Sequence, residues 1–393
     1  MRLRSCVLAA VIASCGGTPA AVDTATGAPS AAPTLTPAAL PTPPPVCDPF
    51  TVLPLVMTDV IAITPLGNLS PSGHVFPANH IYFYTQRATT GTDPTRPVPV
   101  VSPGAMTITR VTTQEFKSAT PVYSDYKLNF SVCEPVTGDF AHLGTVSDRI
   151  LAEVKKATPP RCDEYSTGRT AVRACAYETK IELAPGERIG TTSAKSSALD
   201  LGAQDSRVRN AFVAADRYYP EFTNAVCPLD LFAPAIIGFL RNKLGRDASP
   251  KPQLRTIEPA CGTVMQDISG TAQGNWFSSP GRLAQEDTHL ALVHDNVDPR
   301  QPIFSIGTSI PGLPTATYPF TIRDTGLVNR DFFQIRADSK VYCFEGLGQR
   351  TNAAVRILLT MPKERELQIE PQDQAQCGPG PWTLGPKAVR FER

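Results

Sequence analysis

Proline and glycine interrupt this 393-residue chain at short intervals, with 39 prolines and 27 glycines. Proline lacks the backbone N–H that continues a helix and glycine weakens helices, so this density favours turns over long helices. The apolar runs between them are short, and those at 81–84, 106–111 and 126–132 have the alternation or the β-branched and aromatic content of strands. The sequence therefore predicts a mainly β protein with few short helices.

Two β domains are expected, because the chain after position 46 is longer than a typical domain with a single hydrophobic core. Ser147 can cap a helix that runs to about Ala157, and an apolar helix over 235–244 would end at Gly245. We expect a first β domain over 47–205, a helical connector over 206–252 and a small all-β C-terminal domain over 253–393. The strand candidates of the last domain lie at 275–277, 290–293, 303–306, 341–344 and 355–359.

The first 46 residues have the pattern of a targeting segment followed by a tether. Arg2 and Arg4 precede an apolar run over 7–13, which is far shorter than the roughly 20 residues of a membrane-spanning helix. The run ends in Ala-Ser-Cys at 13–15, which resembles the lipid-attachment motif of bacterial lipoproteins. The resemblance implies a signal peptide over 1–14 and a lipid on Cys15, which anchors the protein on the extracytoplasmic side of a bacterial membrane. The alternative is an ordinary secretory signal with an incidental cysteine. Residues 15–46, rich in Ala, Thr and Pro, are expected to form a disordered tether.

Cysteine usage also indicates export. Eight cysteines follow the tether, and none of them has the short C-x-x-C spacing of a zinc knuckle or a redox motif. Outside the cytosol an even set favours disulfides, up to four here. We expect Cys162 to pair with Cys175 in one predicted loop, and the sequence leaves the other pairings open. The full set is Cys47, Cys133, Cys162, Cys175, Cys227, Cys261, Cys343 and Cys377.

The charge of the chain argues against one class of partner. The formal net charge is +1, and charges of both signs are interspersed without a basic stripe. A surface that binds nucleic acid needs clustered positive charge to neutralise phosphates. We therefore expect no nucleic-acid partner.

Three histidines of the first β region fall in a particular order with two other motifs. His74 and His80 precede the strand candidate at 81–84, and His142 lies in Phe-Ala-His-Leu at 140–143. Gly-Glu-Arg-Ile-Gly at 186–190 and Ala-Leu-Asp-Leu at 198–201 follow. This order, over about 67–203, resembles the lysostaphin-type zinc endopeptidases, which are murein hydrolases with a duplicated hybrid β-sandwich fold. The resemblance implies that fold for 47–205 and a substrate among the peptidoglycan peptides of the cell envelope.

Departures from the family pattern define the expected site. The last motif of the family is His-x-His, and Ala198 and Asp200 stand in those two places here. Carboxylate oxygen is an acceptable zinc ligand, so the resemblance implies His74, His80 and Asp200 as metal ligands with an open position for water. His142 would be the lone positioned base or transition-state donor, because its usual partner is absent at Ala198.

A degenerate zinc enzyme is one interpretation, and a non-catalytic envelope protein that keeps the fold is another. In the second interpretation His74 and His80 are hydrogen-bonded turn residues, His142 is an ordinary strand residue, and the fold recognises a glycan, a peptide or a protein of the envelope. A solute-binding or structural β lipoprotein is a third. His289 and His294 also attract notice, but five positions apart on a strand they point to opposite faces.

Overall fold

The structure is a computed structural model, and it describes residues 47–85, 96–119, 122–157, 159–167, 170–196, 198–248, 251–283, 285–348 and 355–393. The predicted signal peptide, Cys15 and the tether lie outside the described residues. The described residues all belong to one compact unit.

The described chain is mainly β, as the sequence predicts. The strands of its first part are β1 (Val60–Thr64), β2 (His80–Thr85), β3 (Pro99–Val101), β4 (Met106–Phe116), β5 (Tyr123–Cys133), β6 (Val136–Val146), β7 (Arg161–Thr167), β8 (Thr170–Leu183), β9 (Arg188–Thr192) and β10 (Ala198–Asp205). The later strands are β11 (Gly245–Arg246), β12 (Gln253–Leu254), β13 (Gly274–Trp276), β14 (Leu290–His294), β15 (Pro302–Ile306), β16 (Ala316–Pro319), β17 (Tyr342–Phe344), β18 (Arg356–Lys363), β19 (Glu366–Gln372) and β20 (Val389–Glu392).

Helices are few and short. The α-helices of the described residues are α1 (Asp148–Lys156), α2 (Pro220–Thr223) and α3 (Pro234–Arg241), and short 3-10 segments lie at Met57–Asp59, Ala215–Arg217, Pro228–Leu231 and Phe332–Gln334. Across the described part of the chain, no helix has the length and apolar character that crossing a membrane would require.

An antiparallel sheet of ten strands forms the first part of the chain. Eight strands follow the order β1-β2-β10-β6-β5-β4-β8-β7, while β9 pairs with both β3 and β6. Side chains alternate between the two faces of a strand, so β2 and β10 each divide into an apolar and a polar set. Their fully buried apolar residues, which face the core, are Ile81, Phe83, Leu199, Leu201 and Ala203. The opposite face of these strands is the polar one.

The C-terminal part contains two antiparallel sheets of four strands, β13 to β16 and β17 to β20. They enclose one apolar cluster, whose largest fully buried members are Trp276, Phe304, Tyr318, Phe332, Phe344 and Phe391. A further cluster joins this part to the first sheet, since Phe76 from the loop before β2 packs against Tyr218 and Phe277. The loop that carries His74 therefore lies against the C-terminal part.

Capping residues in the sequence predicted the start of α1 correctly but not the end of α3. Ser147 caps α1 by accepting a hydrogen bond from the backbone N–H of Ile150. The apolar helix ends at Arg241, so its predicted extension to 244 and the cap at Gly245 are wrong. The physical reason is tertiary pairing, because the carbonyl of Lys243 accepts a 2.7 Å hydrogen bond from Ile63 N in β1. The chain leaves the helix to make this pairing.

Four disulfides link the eight cysteines that follow the tether. Cys162 pairs with Cys175 across β7 and β8, as predicted. The other pairs, which the sequence left open, are Cys47–Cys133, Cys227–Cys261 and Cys343–Cys377. Disulfides of this number suit an exported protein.

Candidate metal centre

Four predicted residues meet on the polar face of the large sheet. His80 is the first residue of β2, Asp200 lies on the neighbouring β10, and His142 lies on β6 at the other side of β10. His74 comes from the loop before β2, and the centroid of its ring is 5.1 Å from that of His80. Because β10 lies between β2 and β6, the carboxylate of Asp200 is flanked by both strands that carry histidine.

A β-bulge brings His142 to this face. The register between β5 and β6 shifts at this point, and His142 has a φ of 61°, in the left-handed region that residues other than glycine seldom adopt. Phe140 and Leu143 both belong to the apolar core, and residues 141 and 142 lie between them. In a regular strand only one residue separates two neighbouring positions on the same face. In a regular strand over 140–143, His142 would point into the core. Bulges often redirect side chains beside functional sites.

The hydrogen bonds of Asn79 determine which nitrogen of His80 carries a proton. The side-chain amide of Asn79 donates to the carbonyl of Glu221 at 2.8 Å. Its oxygen is therefore the atom that faces Nδ1 of His80, at 2.9 Å. An amide oxygen only accepts, so His80 Nδ1 must be the donor and Nε2 must hold a lone pair. The His80 side chain is directed at Asp200.

Asp200 is the centre of the cluster. Its Oδ2 lies 3.4 Å from His80 Nε2 and 3.5 Å from His142 Nε2, and its side chain is 6 % exposed. Among the described residues, neither Asp200 Oδ1 nor His80 Nε2 has a hydrogen-bond partner. Burial raises the pKa of Asp200 to about 6, against the opposing effect of His142. A carboxylate oxygen that faces an imidazole lone pair needs a cation or a proton between them.

His142 is held by a second carboxylate. Its Nδ1 donates to Oδ2 of Asp125 at 2.8 Å, and the Asp125 side chain is completely buried while that of His142 is 33 % exposed. Burial alone would lower the pKa of His142, but Asp200 and Asp125 outweigh it and raise that pKa to about 9. His142 is thus positively charged at neutral pH, oriented at one nitrogen and accessible to solvent.

His74 and His80 have the opposite character. Burial, aided by the charges of His142 and Lys127, lowers the pKa of His74 to about 4. Burial also lowers the pKa of His80 well below 6.5. Both imidazoles are therefore neutral at pH 7, which is the state in which histidine binds a metal. The ring of Tyr82 packs against both, at centroid distances of 6.2 and 4.7 Å.

The donors are close together, yet they do not form a ready-made coordination shell. No group of three or more His, Cys, Asp or Glu side chains within the described ranges is arranged to hold a metal ion. The pair that fits best is His80 Nε2 with Asp200 Oδ2. Two tetrahedral zinc ligands at 2.0–2.1 Å from the ion lie roughly 3.3–3.4 Å apart, which matches the separation of this pair. Ala198, on the same face as Asp200, adds no polar group.

Sequence reasoning missed three ionisable residues of the site. Asp125 orients His142, and Glu286 reaches His74 from the C-terminal part with 4.0 Å between Oε1 and Nδ1. Burial raises the pKa of Glu286 to about 8, although backbone N–H groups oppose this. Lys127 lies 3.2 Å from Asp139, whose charge raises the lysine pKa. The even spacing of Asp125 and Lys127 along β5 is the one sequence signal for a shared face.

The two later histidines do not converge. His289 is buried and its Nδ1 accepts a hydrogen bond from the backbone N–H of Ser278. His294 pairs instead with Asp331, at 3.1 Å. Each of the two histidines therefore has its own structural partner.

Comparison with protein-family models, with curated proteins and with solved structures finds no match to this chain. The resemblance to lysostaphin-type endopeptidases therefore stays a prediction from the sequence motifs.

Proposed function

We propose that this chain is an exported, lipid-anchored protein of the bacterial cell envelope whose first β region binds zinc and hydrolyses peptides of the wall. His74, His80 and Asp200 would hold the ion, and His142 would assist the reaction. The observation that supports this most is the 3.4 Å approach of the His80 lone pair to Asp200 Oδ2 with no hydrogen bond between them.

The chemistry divides between the ion and the protein. A bound zinc ion would supply a Lewis acid and a water nucleophile near neutral pH. His142, oriented by Asp125 and one third exposed, is placed to give or take a proton at Nε2. Asp200 lies within 3.5 Å of that nitrogen, so it stabilises the protonated imidazole. Ala198 supplies no second proton donor, and we expect slow turnover for this reason.

Metal analysis tests the proposal directly. The purified protein should contain one zinc ion per chain after equilibration with zinc, and both His80→Ala and Asp200→Asn should lose it. Glu178→Gln is the control, because Glu178 of β8 pairs with Arg110 of β4 on the same sheet but outside the cluster. A wild-type protein that takes up no zinc would refute the metal site and with it the hydrolase.

A digestion assay tests the reaction separately. Incubation with isolated peptidoglycan should release free amines, and His142→Ala should abolish the release while zinc stays bound. Retained zinc without any release from the wild type would leave a metal-binding protein that is not a peptidoglycan hydrolase.

A non-catalytic envelope protein is the second candidate, and one feature favours it. His142 is charged and sits between Asp125 and Asp200, so this trio is a satisfied ion-pair network even without a metal. In this case the fold would recognise a glycan, a peptide or a protein partner through its surface. Absence of zinc from the wild type, together with binding to isolated cell walls, would favour this candidate.

A further inference from the structure

Helix α3 is apolar around its whole circumference, yet one side of it faces solvent. From Pro234 to Leu240 its sequence is Pro-Ala-Ile-Ile-Gly-Phe-Leu, without a polar side chain. Leu240 is fully buried in the core of the first part of the chain, whereas Phe239 is 61 % exposed. Pro234, Ala235 and Gly238, on the same outer side as Phe239, are also exposed. A helix that is hydrophobic all round normally has apolar surroundings on every side.

Other exposed apolar side chains lie in segments that pair with the chain after α3. Among the described residues six large apolar side chains are exposed, and Val56, Phe239 and Leu254 are three of them. Val56 lies shortly before β1, in which Ile63 N donates a 2.7 Å hydrogen bond to the carbonyl of Lys243. Leu254 is the last residue of β12, which pairs with β11 just beyond Lys243. Half of these side chains therefore belong to segments near β1, at one end of the large sheet.

The chain enters the described part of the protein beside α3. Phe50 N donates to the carbonyl of Leu231 at 2.7 Å, and Ala233 N donates to the carbonyl of Phe50 at 2.9 Å. Cys47, three residues earlier, is fixed to β5 by its disulfide. The predicted lipid on Cys15 is thus connected, through residues 16–46, to a point next to the start of α3. A flexible tether of this length would span about 30 Å on average, so the membrane lies within reach of the helix.

We propose that the exposed face of α3 rests on a phospholipid surface and inserts the ring of Phe239 among the lipids. The charge of the segment fits this partner, because Arg241 and Lys243 follow the apolar run and positions 231–246 contain no acidic residue. Apolar insertion combined with attraction to anionic headgroups is how amphipathic segments bind a membrane surface. The lipid anchor of the proposed function only brings the membrane close, and the contact does not depend on zinc.

The size of the face favours a membrane over a second protein. The helix has eight residues, so it is about 12 Å long and about 10 Å wide. This area is far below the roughly 800 Å² that each partner buries in a stable protein interface. A membrane contact requires no such area, because a lipid anchor already holds the protein there and the helix only has to orient it.

Vesicle flotation of the mature chain without its lipid tests the contact. The reference protein begins at position 15 with Cys15→Ala, and the vesicles contain equal parts of phosphatidylglycerol and phosphatidylcholine. Phe239→Ser should weaken vesicle binding about 10-fold, the effect of no longer burying one aromatic ring. Tyr165→Ser is the matched control and should bind as the reference does. It removes another exposed aromatic ring, on β7 at the opposite end of the large sheet from β1.

A charge variant tests the second part of the contact. Arg241→Gln should weaken binding to these vesicles about fivefold, which corresponds to the loss of about 1 kcal/mol of attraction to anionic headgroups. Binding of this variant to vesicles of pure phosphatidylcholine should equal that of the reference. Because the replaced side chains are exposed, all variants should keep the melting temperature of the reference, which shows that the fold is intact.

Two results would overturn the membrane contact. One is a reference protein that does not bind the vesicles, or equal binding by the Phe239→Ser and Tyr165→Ser variants. The other is a dimer in sedimentation velocity that Phe239→Ser dissociates, without vesicle binding, because the face would then belong to a second copy of the chain. Since the reference protein carries no lipid, these results are independent of the anchor. Mass spectrometry of the protein extracted from membranes reports the lipid on Cys15 separately.

Discussion

His142 owes its positive charge to two acidic neighbours rather than to exposure. Asp125 accepts from Nδ1 and Asp200 lies near Nε2, and together they raise the pKa of His142 to about 9 although burial opposes them. A raised pKa in the folded state stabilises the fold below the unfolded pKa of 6.5. This contribution is lost as the pH rises through about 9.

Replacing Asp125 with Asn should therefore lower the pKa of His142 by about one pH unit or more, because the charge-assisted hydrogen bond becomes a neutral one. NMR titration of the metal-free protein measures this value. Glu178→Gln should leave the titration nearly unchanged, since Glu178 of β8 pairs with Arg110 of β4 outside the cluster. An equal effect of both variants would mean that net charge, and not the Asp125 contact, controls His142.

The sequence singled out four residues that the fold brings together, but it did not show their partners. Histidine is rare in this chain, which draws attention to His74, His80 and His142. Asp200 is noticeable because it stands where the zinc endopeptidases that the sequence resembles have a histidine. Glu286 lies more than 200 residues beyond the loop that it contacts, and no local pattern links the two. Only the tertiary packing of the C-terminal part against this loop brings them together.

Strands β6 and β9 show how an element can set the geometry of the site. The pairing of β6 with β10 ends at Ala141, and from Leu143 onward β6 pairs with β9 on that side, while Leu143 still pairs with Tyr126 of β5. Ser193, just past β9, donates a 3.0 Å backbone hydrogen bond to the carbonyl of His142. The close approach of the two strands requires a residue without a side chain at Gly190, where a Cβ would overlap the carbonyl oxygen of Thr145.

Gly190→Ala should consequently destabilise the protein by about 2 kcal/mol or more, since backbone on both strands must move to accommodate the methyl group. Gly186→Ala in the preceding turn meets open space but has a φ of 79°, so it should cost only about 1 kcal/mol. Urea unfolding of both variants gives the comparison. A larger loss for Gly186→Ala would show that turn strain matters more than strand spacing.

Strand and helix positions followed from alternation and capping, whereas irregularities within elements did not. The helix cap at Ser147 and strands such as β5 depend on neighbouring residues, which the sequence displays directly. The bulge at His142 and the early end of α3 depend on pairing with distant strands. The bulge is the more important omission, because without it His142 would face the core.

The whole molecule is joined where the loop of His74 meets the C-terminal part. Phe76 stacks on His289 and contacts Phe277, and Asn296 donates to the carbonyl of Pro65 at 2.8 Å. Apolar and polar contacts both cross this junction. Any condition that charges a buried group here should weaken the connection between the two β regions.

His289 is such a group, and it makes the fold sensitive to acid. It is 4 % exposed, and burial, with a smaller effect from Arg217, lowers its pKa to about 4. Between pH 6.5 and 4 the unfolded chain binds a proton there and the folded chain does not, so stability falls as the pH falls. From about pH 8 to about pH 5, this residue should remove about 2 kcal/mol of unfolding free energy.

In His289→Phe the loss of unfolding free energy between pH 8 and pH 5 should be smaller by that amount, as measured by urea unfolding at both pH values. The cost of the substitution itself appears at the higher pH, where His289 is neutral in both states. Parallel losses in the two proteins would place the acid sensitivity elsewhere, because His289 alone at this junction has been changed.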